Sequence, residues 1–277
     1  MLSPIFIGFA AEPAKAPVSE DASPLQVVDI PTQGGRATTP AVIRRPPGAR
    51  NAPAVIFLHG GLETQPVDRL KATSRGPNTM SRFLAAGWIT VVPTFRPRNV
   101  DPQTRDALLD CLDVLAYVKK MPEADPRRVV IYGTSGGGSL AVEIAGEVPL
   151  PAAVAEEPAS ILFTGMFTKE YRQGDRKMSP SDGQDLMDNP NKYYTAAIRK
   201  ITQDKIRRVQ CPMFFAEGGV HVINRINNEI VFPEFAAAGK DFEVKLYPAQ
   251  RHGFSMKSDT FFEDCQAFLA RHVSPRP

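Results

Sequence analysis

Cysteine is scarce in this sequence, and the spacing of the few that occur argues against two kinds of stabilising framework. The 277 residues include three cysteines, Cys111, Cys211 and Cys265, with no C-x-x-C pair. A disulfide-knit scaffold or a zinc ribbon needs more cysteines at closer spacing. Two of the three fall in helical patterns and Cys211 begins a strand, so we expect all three to be small buried side chains. The sequence does not decide whether two of them form a disulfide.

Long apolar runs and a strong charge of one sign are also missing. No run approaches the roughly 18–20 apolar residues that a membrane span needs, and the formal net charge is only +3. Basic pairs are scattered along the chain, which gives no indication of a nucleic-acid partner. The length of 277 residues and a hydrophobic content of 43% suit one α/β domain, with or without a cap.

The first 20 residues differ in composition from the rest. Residues 2–11 are apolar and lead into Ala14-Lys15-Ala16 and a stretch rich in proline, alanine and glutamate. An apolar segment before an A-x-A site is typical of a secretory signal peptide, although no basic residues precede it here. We therefore expect residues 1–20 to be the remnant of a signal peptide on an exported, periplasmic or secreted protein. The alternative is a disordered tail on a cytoplasmic protein.

Residues 21–277 show alternating apolar strands and amphipathic helices, which predict an α/β fold with a doubly wound, mostly parallel sheet. Two antiparallel strands, 25–30 and 41–45, turn at Gly34-Gly35 and precede this alternation. The further strands are predicted at 54–58, 88–92, 128–133, 152–155, 213–216 and 242–247. Helices are predicted at 78–86, from 101 onward, after Ser135, at 224–238 with a kink at Pro233, and at 260–271.

One segment interrupts the alternation. Residues from about 160 to 205 are polar and mixed, with aromatic residues interspersed. A stretch this long between two strands is typical of a lid or cap inserted into the domain. We expect it to supply the substrate pocket.

The motif with the clearest chemistry is G-x-S-x-G, filled by Gly133, Ser135 and Gly137. An apolar β-branched run precedes it and an apolar-periodic helix follows, which is the context of a sharp strand–turn–helix elbow. Such a turn is strained and crowded, so small residues flank the serine. The first N–H groups of the helix point back toward that serine and favour an anion there. The pattern predicts that Ser135 is a nucleophile.

A serine hydroxyl needs a base and an oxyanion hole to act as a nucleophile. His252 is the best candidate base, because it follows the last predicted strand in a glycine-containing loop. The oxyanion that forms on attack needs two donors, which we expect from Gly136 and from Gly60 and Gly61 in the His59-Gly60-Gly61 turn. All of these residues follow strands, and the carboxyl ends of parallel strands share one edge of the sheet.

These motifs resemble the dienelactone hydrolase and prolyl-oligopeptidase-like esterase group of the α/β-hydrolase superfamily. The resemblance extends from about residue 41 to the end, apart from the lid, and implies the α/β-hydrolase fold. It implies Ser135 as nucleophile, His252 as general base, and the Gly61 and Gly136 regions as oxyanion hole. The matching motifs are His59-Gly60-Gly61, Asp125-Pro126-Arg127-Arg128 with Gly133-Thr134-Ser135-Gly136-Gly137, and Tyr247-Pro248 with Arg251-His252-Gly253-Phe254.

The sequence departs from this group at the acid of the triad. The loop where the group carries an aspartate reads Glu217-Gly218-Gly219-Val220-His221, so a histidine stands in its place. One explanation takes the acid from Glu156 or Glu157, which directly follow a predicted strand, as in certain glucuronoyl esterases and haloalkane dehalogenases. In a second, Glu217 reaches the histidine; in a third, the acid is lost.

The resulting hypothesis is a serine hydrolase that cleaves small carboxylic esters through an acyl-enzyme. The alternatives are a serine peptidase, a carbohydrate esterase, and a noncatalytic binding protein with a degraded triad. Peptidases of this group usually carry an additional propeller domain, for which we expect no room here. A metal site made of His221, His252 and Glu217 matches no known ligand spacing, so no metal or other cofactor is predicted.

Overall fold

Ten β-strands form the framework of the protein in this computed structural model, which describes residues 23–97, 105–166, 172–173, 176–177, 180–219 and 223–273. The predicted signal remnant at 1–20 lies outside these residues. The strands are β1 (Gln26–Thr32), β2 (Ala37–Arg44), β3 (Ala52–Leu58), β4 (Ile89–Pro93), β5 (Ala124–Thr134), β6 (Ala153–Glu156), β7 (Arg172–Gln173), β8 (Arg176–Lys177), β9 (Met213–Gly218) and β10 (Phe242–Tyr247).

Eight of these strands form one sheet in the order β1-β2-β4-β3-β5-β6-β9-β10, and β7 pairs with β8 in a separate hairpin. The pairs β1–β2 and β2–β4 are antiparallel. From β4 to β10 every neighbouring pair is parallel. The predicted doubly wound, mostly parallel sheet is therefore confirmed, and the carboxyl ends of β3, β5, β6, β9 and β10 meet at one edge.

The helices cover both faces of this sheet. Those of the main alternation are α1 (Val67–Ser74), α2 (Thr79–Ala85), α3 (Asp106–Lys119), α4 (Gly136–Glu147), α9 (Ile223–Ile226), α10 (Phe232–Ala237) and α11 (Asp259–His272). The first, α1, was not predicted from the sequence. The structure has α3 begin at Asp106, and the start predicted at residue 101 lies outside the described residues.

The central strands are buried on both faces, which explains their continuous apolar runs. On β3, Ile56 and Leu58 pack with α3 and α4 in one core cluster. Val55 and Phe57 pack with α2 and α11 in the other. The cysteines were predicted to be small buried residues, and all three are buried and outside any disulfide.

The helix predicted at 224–238 is present but irregular. A π-helical turn at Asn227–Val231 separates α9 from α10. Pro233 has no N–H to donate to the preceding turn, which favours a local change of hydrogen-bond register just ahead of it. The predicted kink therefore takes the form of a wider turn that begins at Asn227.

Within its described residues, the segment predicted to be a lid contains three shorter helices and one of 13 residues. They are α5 (Ser160–Thr164), α6 (Pro180–Asp188), α7 (Pro190–Tyr193) and α8 (Ala196–Arg208). Leu186, Tyr193 and Tyr194 form a third apolar cluster with Ile226 and Ile230, next to the π-helical turn. Its role as a lid stays a prediction. No helix among the described residues combines the length and apolar character needed to cross a membrane.

Candidate active site

Ser135 occupies the sharp turn between β5 and α4, with φ 52° and ψ −115°. A non-glycine residue rarely adopts this backbone conformation, which stores strain. Hydrogen bonds on both sides hold it in place: its N–H donates to the carbonyl of Glu156 at 2.9 Å, and its carbonyl accepts from the N–H of Ala159 at 2.8 Å. Ser135 is therefore fixed directly to the end of β6 and to the segment that follows it.

The glycines around Ser135 are required by the close approach of neighbouring backbone. A Cβ on Gly133 would lie 2.1 Å from the carbonyl oxygen of Gly137, and one on Gly137 would lie 2.1 Å from that of Leu58. A Cβ on Gly136 would lie 2.3 Å from the carbonyl oxygen of Gly61. Since none of these contacts leaves room for a side chain, the elbow can form only with glycine at these positions.

The turn after β3 lies against the same elbow. A Cβ on Gly60 would lie 3.4 Å from the Cβ of Ser135, and Gly61 has a left-handed backbone with φ 83°. The structure thus places the residues predicted for the oxyanion hole, Gly60, Gly61 and Gly136, around the serine.

His59 packs next to this turn. Its ring stacks on Phe95 with centroids 4.2 Å apart. Its Nδ1 lies 2.9 Å from the carbonyl oxygen of Gly60. Burial lowers the pKa of His59, so the ring is held neutral. This geometry fits a structural role in shaping the turn.

The ring of His252, in the loop after β10, contacts the carboxylate of a glutamate. Its Nδ1 lies 2.7 Å from Oε2 of Glu157, whose carboxylate is fully buried, while the His252 side chain is 31% exposed. In a serine triad a carboxylate on Nδ1 orients the histidine whose Nε2 acts as the base. Of the carboxylates considered for the acid, Glu157 is the one that the structure brings to Nδ1 of His252.

The backbone at Glu157 is as unusual as that at Ser135. Its φ is 39°, in the left-handed region. The N–H of Glu157 donates to the carbonyl of Ala216 on β9 at 2.8 Å. This continuation of the β6–β9 pairing fixes the turn.

Four donors surround the Glu157 carboxylate. Besides His252, Oε1 accepts from the N–H of Gly218 at 3.0 Å and from Nδ2 of Asn224 at 3.2 Å. Oε2 accepts from the N–H of Gly253 at 3.2 Å. Although burial opposes the charge, the hydrogen bonds from His252 and Asn224 bring the pKa of Glu157 below its usual value. Glu157 is therefore ionised near neutral pH.

The loop after β9, where the sequence lacks the expected aspartate, contacts this carboxylate through its backbone. Gly218 donates to Glu157, and a Cβ on Gly219 would lie 1.7 Å from the carbonyl oxygen of Pro248. The loops after β9 and β10 are thus in close contact, and the absence of a side chain at Gly219 allows that contact. His221 lies outside the described residues.

The other two candidate glutamates face different partners. Oε1 of Glu156 accepts from the N–H of Gly253 at 3.0 Å, and Oε1 of Glu217 accepts from Nδ2 of Asn227 at 2.9 Å. Both side chains are buried. Burial, reinforced by the negative charge of Glu157, raises the pKa of Glu156 to about 8 and that of Glu217 to about 9. Both are therefore protonated at neutral pH.

Sequence reasoning missed the polar residues behind the triad candidates. Asn224 and Asn227 contact two of the three glutamates. Tyr132 donates to the hydroxyl of buried Ser255 at 2.5 Å, next to Glu156. The sequence does contain a signal for the asparagines. They are three residues apart on the predicted helix, which follows the loop that lacks the expected aspartate. Nothing in the local sequence indicates the role of Tyr132.

Comparison with known proteins identifies the family of this chain. The Prolyl oligopeptidase family (Peptidase_S9) matches residues 103–276, more than half of the chain. Esterase LipU of Mycobacterium tuberculosis is 24% identical over 248 residues, which cover 83% of this chain and 78% of LipU. Dipeptidyl peptidase family member 1 of Caenorhabditis elegans is 24% identical over 139 residues, 48% of this chain and only 15% of that protein.

A solved structure shows the same fold over the whole domain. The putative dienelactone hydrolase of Klebsiella pneumoniae is 17% identical, with a TM-score of 0.62 over 92% of this chain and 100% of that one. The resemblance drawn from the motifs is thereby confirmed. The chain belongs to the prolyl oligopeptidase family, a family of serine hydrolases within the α/β-hydrolase superfamily.

Proposed function

We propose that this protein is a serine esterase in which Ser135 is the nucleophile, His252 the general base and Glu157 the acid of the triad. The observation that carries the proposal is the 2.7 Å contact between His252 Nδ1 and the buried Glu157 carboxylate. This contact lies at the edge of the sheet where the strained turn at Ser135 is hydrogen-bonded to Glu156 and Ala159, on either side of Glu157.

In the first half of the reaction, Ser135 Oγ attacks the carbonyl carbon of the ester while its proton passes to Nε2 of His252. Glu157 stabilises the imidazolium that forms and holds the ring in orientation. The oxyanion of the tetrahedral intermediate accepts hydrogen bonds from the N–H groups of Gly136 and Gly61. Collapse of the intermediate breaks the bond to the alcohol oxygen, which takes the proton from His252.

In the second half, water replaces the alcohol. His252 accepts a proton from water as the water oxygen attacks the acyl carbon, and the same donors stabilise the second oxyanion. Collapse then breaks the bond to Ser135 Oγ, which recovers the proton from His252, and the carboxylic acid leaves. Both halves use the same three side chains, so the loss of any one of them slows both halves.

The likeness to LipU supports esters as the substrate class, because it spans most of both chains and that relative is described as an esterase. The match to the dipeptidyl peptidase covers a small part of that protein. A peptide bond has a poorer leaving group than an ester, so an ester with an activated alcohol is the first substrate to test.

The test combines labelling with turnover. The wild-type chain is incubated with a fluorophosphonate, the adduct is located by mass spectrometry, and hydrolysis of p-nitrophenyl acetate is followed in parallel. We expect one adduct on Ser135 and steady turnover. Ser135→Ala should lose both while keeping the wild-type far-UV circular dichroism. Turnover retained by Ser135→Ala contradicts the assignment of the nucleophile.

The acid is tested by Glu157→Gln, which keeps the side-chain shape but removes the charge that stabilises the imidazolium. Removing the charge of a triad carboxylate lowers kcat by roughly 10⁴-fold in a well-studied serine protease. We expect a loss of at least ~10²-fold here. A loss below ~10-fold contradicts the role given to Glu157.

Ester and peptide cleavage are separated with matched substrates. The same acyl group is offered as a p-nitrophenyl ester and as a p-nitroanilide, and kcat/KM is measured for each. We expect turnover of the ester and no detectable turnover of the anilide. An anilide rate within ~100-fold of the ester rate contradicts the esterase proposal and favours a peptidase.

A further inference from the structure

Two glutamates adjacent in sequence bring their carboxyl groups to one backbone N–H. The N–H of Gly253 lies 3.0 Å from Oε1 of Glu156 and 3.2 Å from Oε2 of Glu157. In a regular strand, successive side chains point to opposite faces. The left-handed backbone at Glu157, with φ 39°, breaks that alternation at the end of β6. Both carboxyl groups therefore reach the residue next to His252.

The donors around this pair are divided unequally. Glu157 accepts from His252, Gly218, Asn224 and Gly253. Glu156 receives the shared Gly253 N–H and a hydrogen bond from the Ser255 hydroxyl, while its Oε2, within the described residues, is buried without a hydrogen-bond partner. A buried oxygen that receives no donor is costly as part of a carboxylate, but it is satisfied if it carries a proton and donates.

We propose that Glu156 is a positioning residue whose protonated carboxyl donates a hydrogen bond to the Glu157 carboxylate and keeps that carboxylate turned toward His252. The pair then holds one negative charge and one proton. This role rests on the proposed function, because it matters only if His252 and Glu157 act on Ser135. Two buried carboxyl groups in contact cannot both ionise at low cost, which agrees with a pKa of Glu156 raised to about 8, first by burial and then by Glu157.

Two groups packed against the pair are neutral. From β5, Tyr132 donates to Ser255, whose hydroxyl lies beside the Glu156 carboxyl. Burial raises the pKa of Tyr132 well above its usual value. From β9, Glu217 is protonated, since burial raises its pKa to about 9. One negative charge on the pair therefore matches the one positive charge that His252 acquires during the reaction.

The arrangement has a consequence at alkaline pH. Above a pH of about 8, Glu156 loses its proton, its donated hydrogen bond disappears and a second negative charge stands beside Glu157. The repulsion turns the Glu157 carboxylate away from its place at His252. We expect kcat to fall with an apparent pKa of about 8.

The experiment compares Glu156→Gln with Glu156→Ala in the full chain, following kcat and KM for p-nitrophenyl acetate from pH 6 to 10 and the labelling rate of Ser135. Glutamine carries a permanent N–H donor where the protonated carboxyl carries O–H. We expect Glu156→Gln to keep kcat within about 3-fold at pH 7 and to lose the alkaline fall. Glu156→Ala should lower kcat by ~10-fold with KM nearly unchanged. Exposed Glu229 provides the matched control, because Glu229→Gln makes the same substitution at the surface and should keep the alkaline fall.

Distinct outcomes overturn the positioning role and the proposed function. If wild type is labelled at Ser135 but Glu156→Gln loses as much activity as Glu157→Gln, Glu156 is itself the acid and the positioning role is wrong. If Glu156→Gln keeps the alkaline fall, the proton on Glu156 is not its cause, and the role is again wrong. This second comparison holds even if the alanine variant does not fold. No labelling of wild type overturns the proposed function, and the positioning role with it.

Discussion

Replacing Glu217 by glutamine should change how the stability of this protein depends on pH. Glu217 lies on β9 with 1% of its surface exposed. Oε1 accepts from Asn227 at 2.9 Å, and Oε2 is buried without a partner among the described residues. Burial, and then the charge of Glu157, raises its pKa from 4.5 to about 9. Glutamine keeps the shape and the bond from Asn227 but cannot ionise.

The sign and the size of this change in unfolding free energy follow from the number of protons bound by the folded and unfolded states. Between pH 4.5 and about 9 the folded protein holds a proton on Glu217 that the unfolded chain has lost. The stabilisation from this proton is complete below pH 4.5 and is lost as the pH rises toward 9. The loss is ~1.4 kcal/mol per pH unit. From pH 6 to 8, the unfolding free energy of Glu217→Gln should therefore gain ~2.7 kcal/mol relative to that of wild type.

Urea unfolding at pH 6, 7 and 8, followed by circular dichroism, measures this difference directly. A gain of ~2.7 kcal/mol corresponds to a rise in Tm of very roughly 5–10 °C for a protein of this size. Glu229→Gln on the surface serves as control, and its difference from wild type should not change with pH. If the Glu217→Gln difference is the same at all three pH values, Glu217 is ionised in the folded protein and the reasoning is refuted.

Three further outcomes are expected. Asn224→Ala removes the donor at 3.2 Å from Glu157 Oε1 and should lower kcat by ~10-fold at pH 7 with KM little changed in steady-state kinetics; unchanged kcat contradicts this. Gly137→Ala would place a Cβ 2.1 Å from the Leu58 carbonyl oxygen and should yield no folded protein by circular dichroism; native-like melting contradicts the crowding. Phe261→Ala empties a fully buried site and should cost ~3–5 kcal/mol in urea unfolding, and a loss below ~1 kcal/mol contradicts it.

Local patterns were enough to predict the sheet and the position of Ser135. The apolar runs of β3 and β5 indicate strands buried on both faces, and the glycines around Ser135 indicate where a strand turns sharply into a helix. These signals arise from neighbouring residues, so they can be read directly from the sequence. The same holds for His252, which stands in a short motif after the last strand.

The choice between Glu156 and Glu157 could not be predicted, because it depends on a backbone angle at Glu157. That angle is set by a hydrogen bond to Ala216, 59 residues further on. No glycine marks the turn, and a period-2 pattern would have sent the two side chains to opposite faces. The role of Asn227 likewise depends on distant segments, because its side chain donates to Pro158 and Glu217.

The strained backbone at Ser135 and Glu157 also offers a way to distinguish active from inactive relatives of this protein. Left-handed conformations cost a non-glycine residue roughly 1–3 kcal/mol each. A chain that no longer needs a hydroxyl or a carboxylate at these two places gains stability by replacing either with glycine. Descendants that keep the fold as binding proteins are therefore expected to accumulate glycine at both positions together, whereas working hydrolases bear the strain at both.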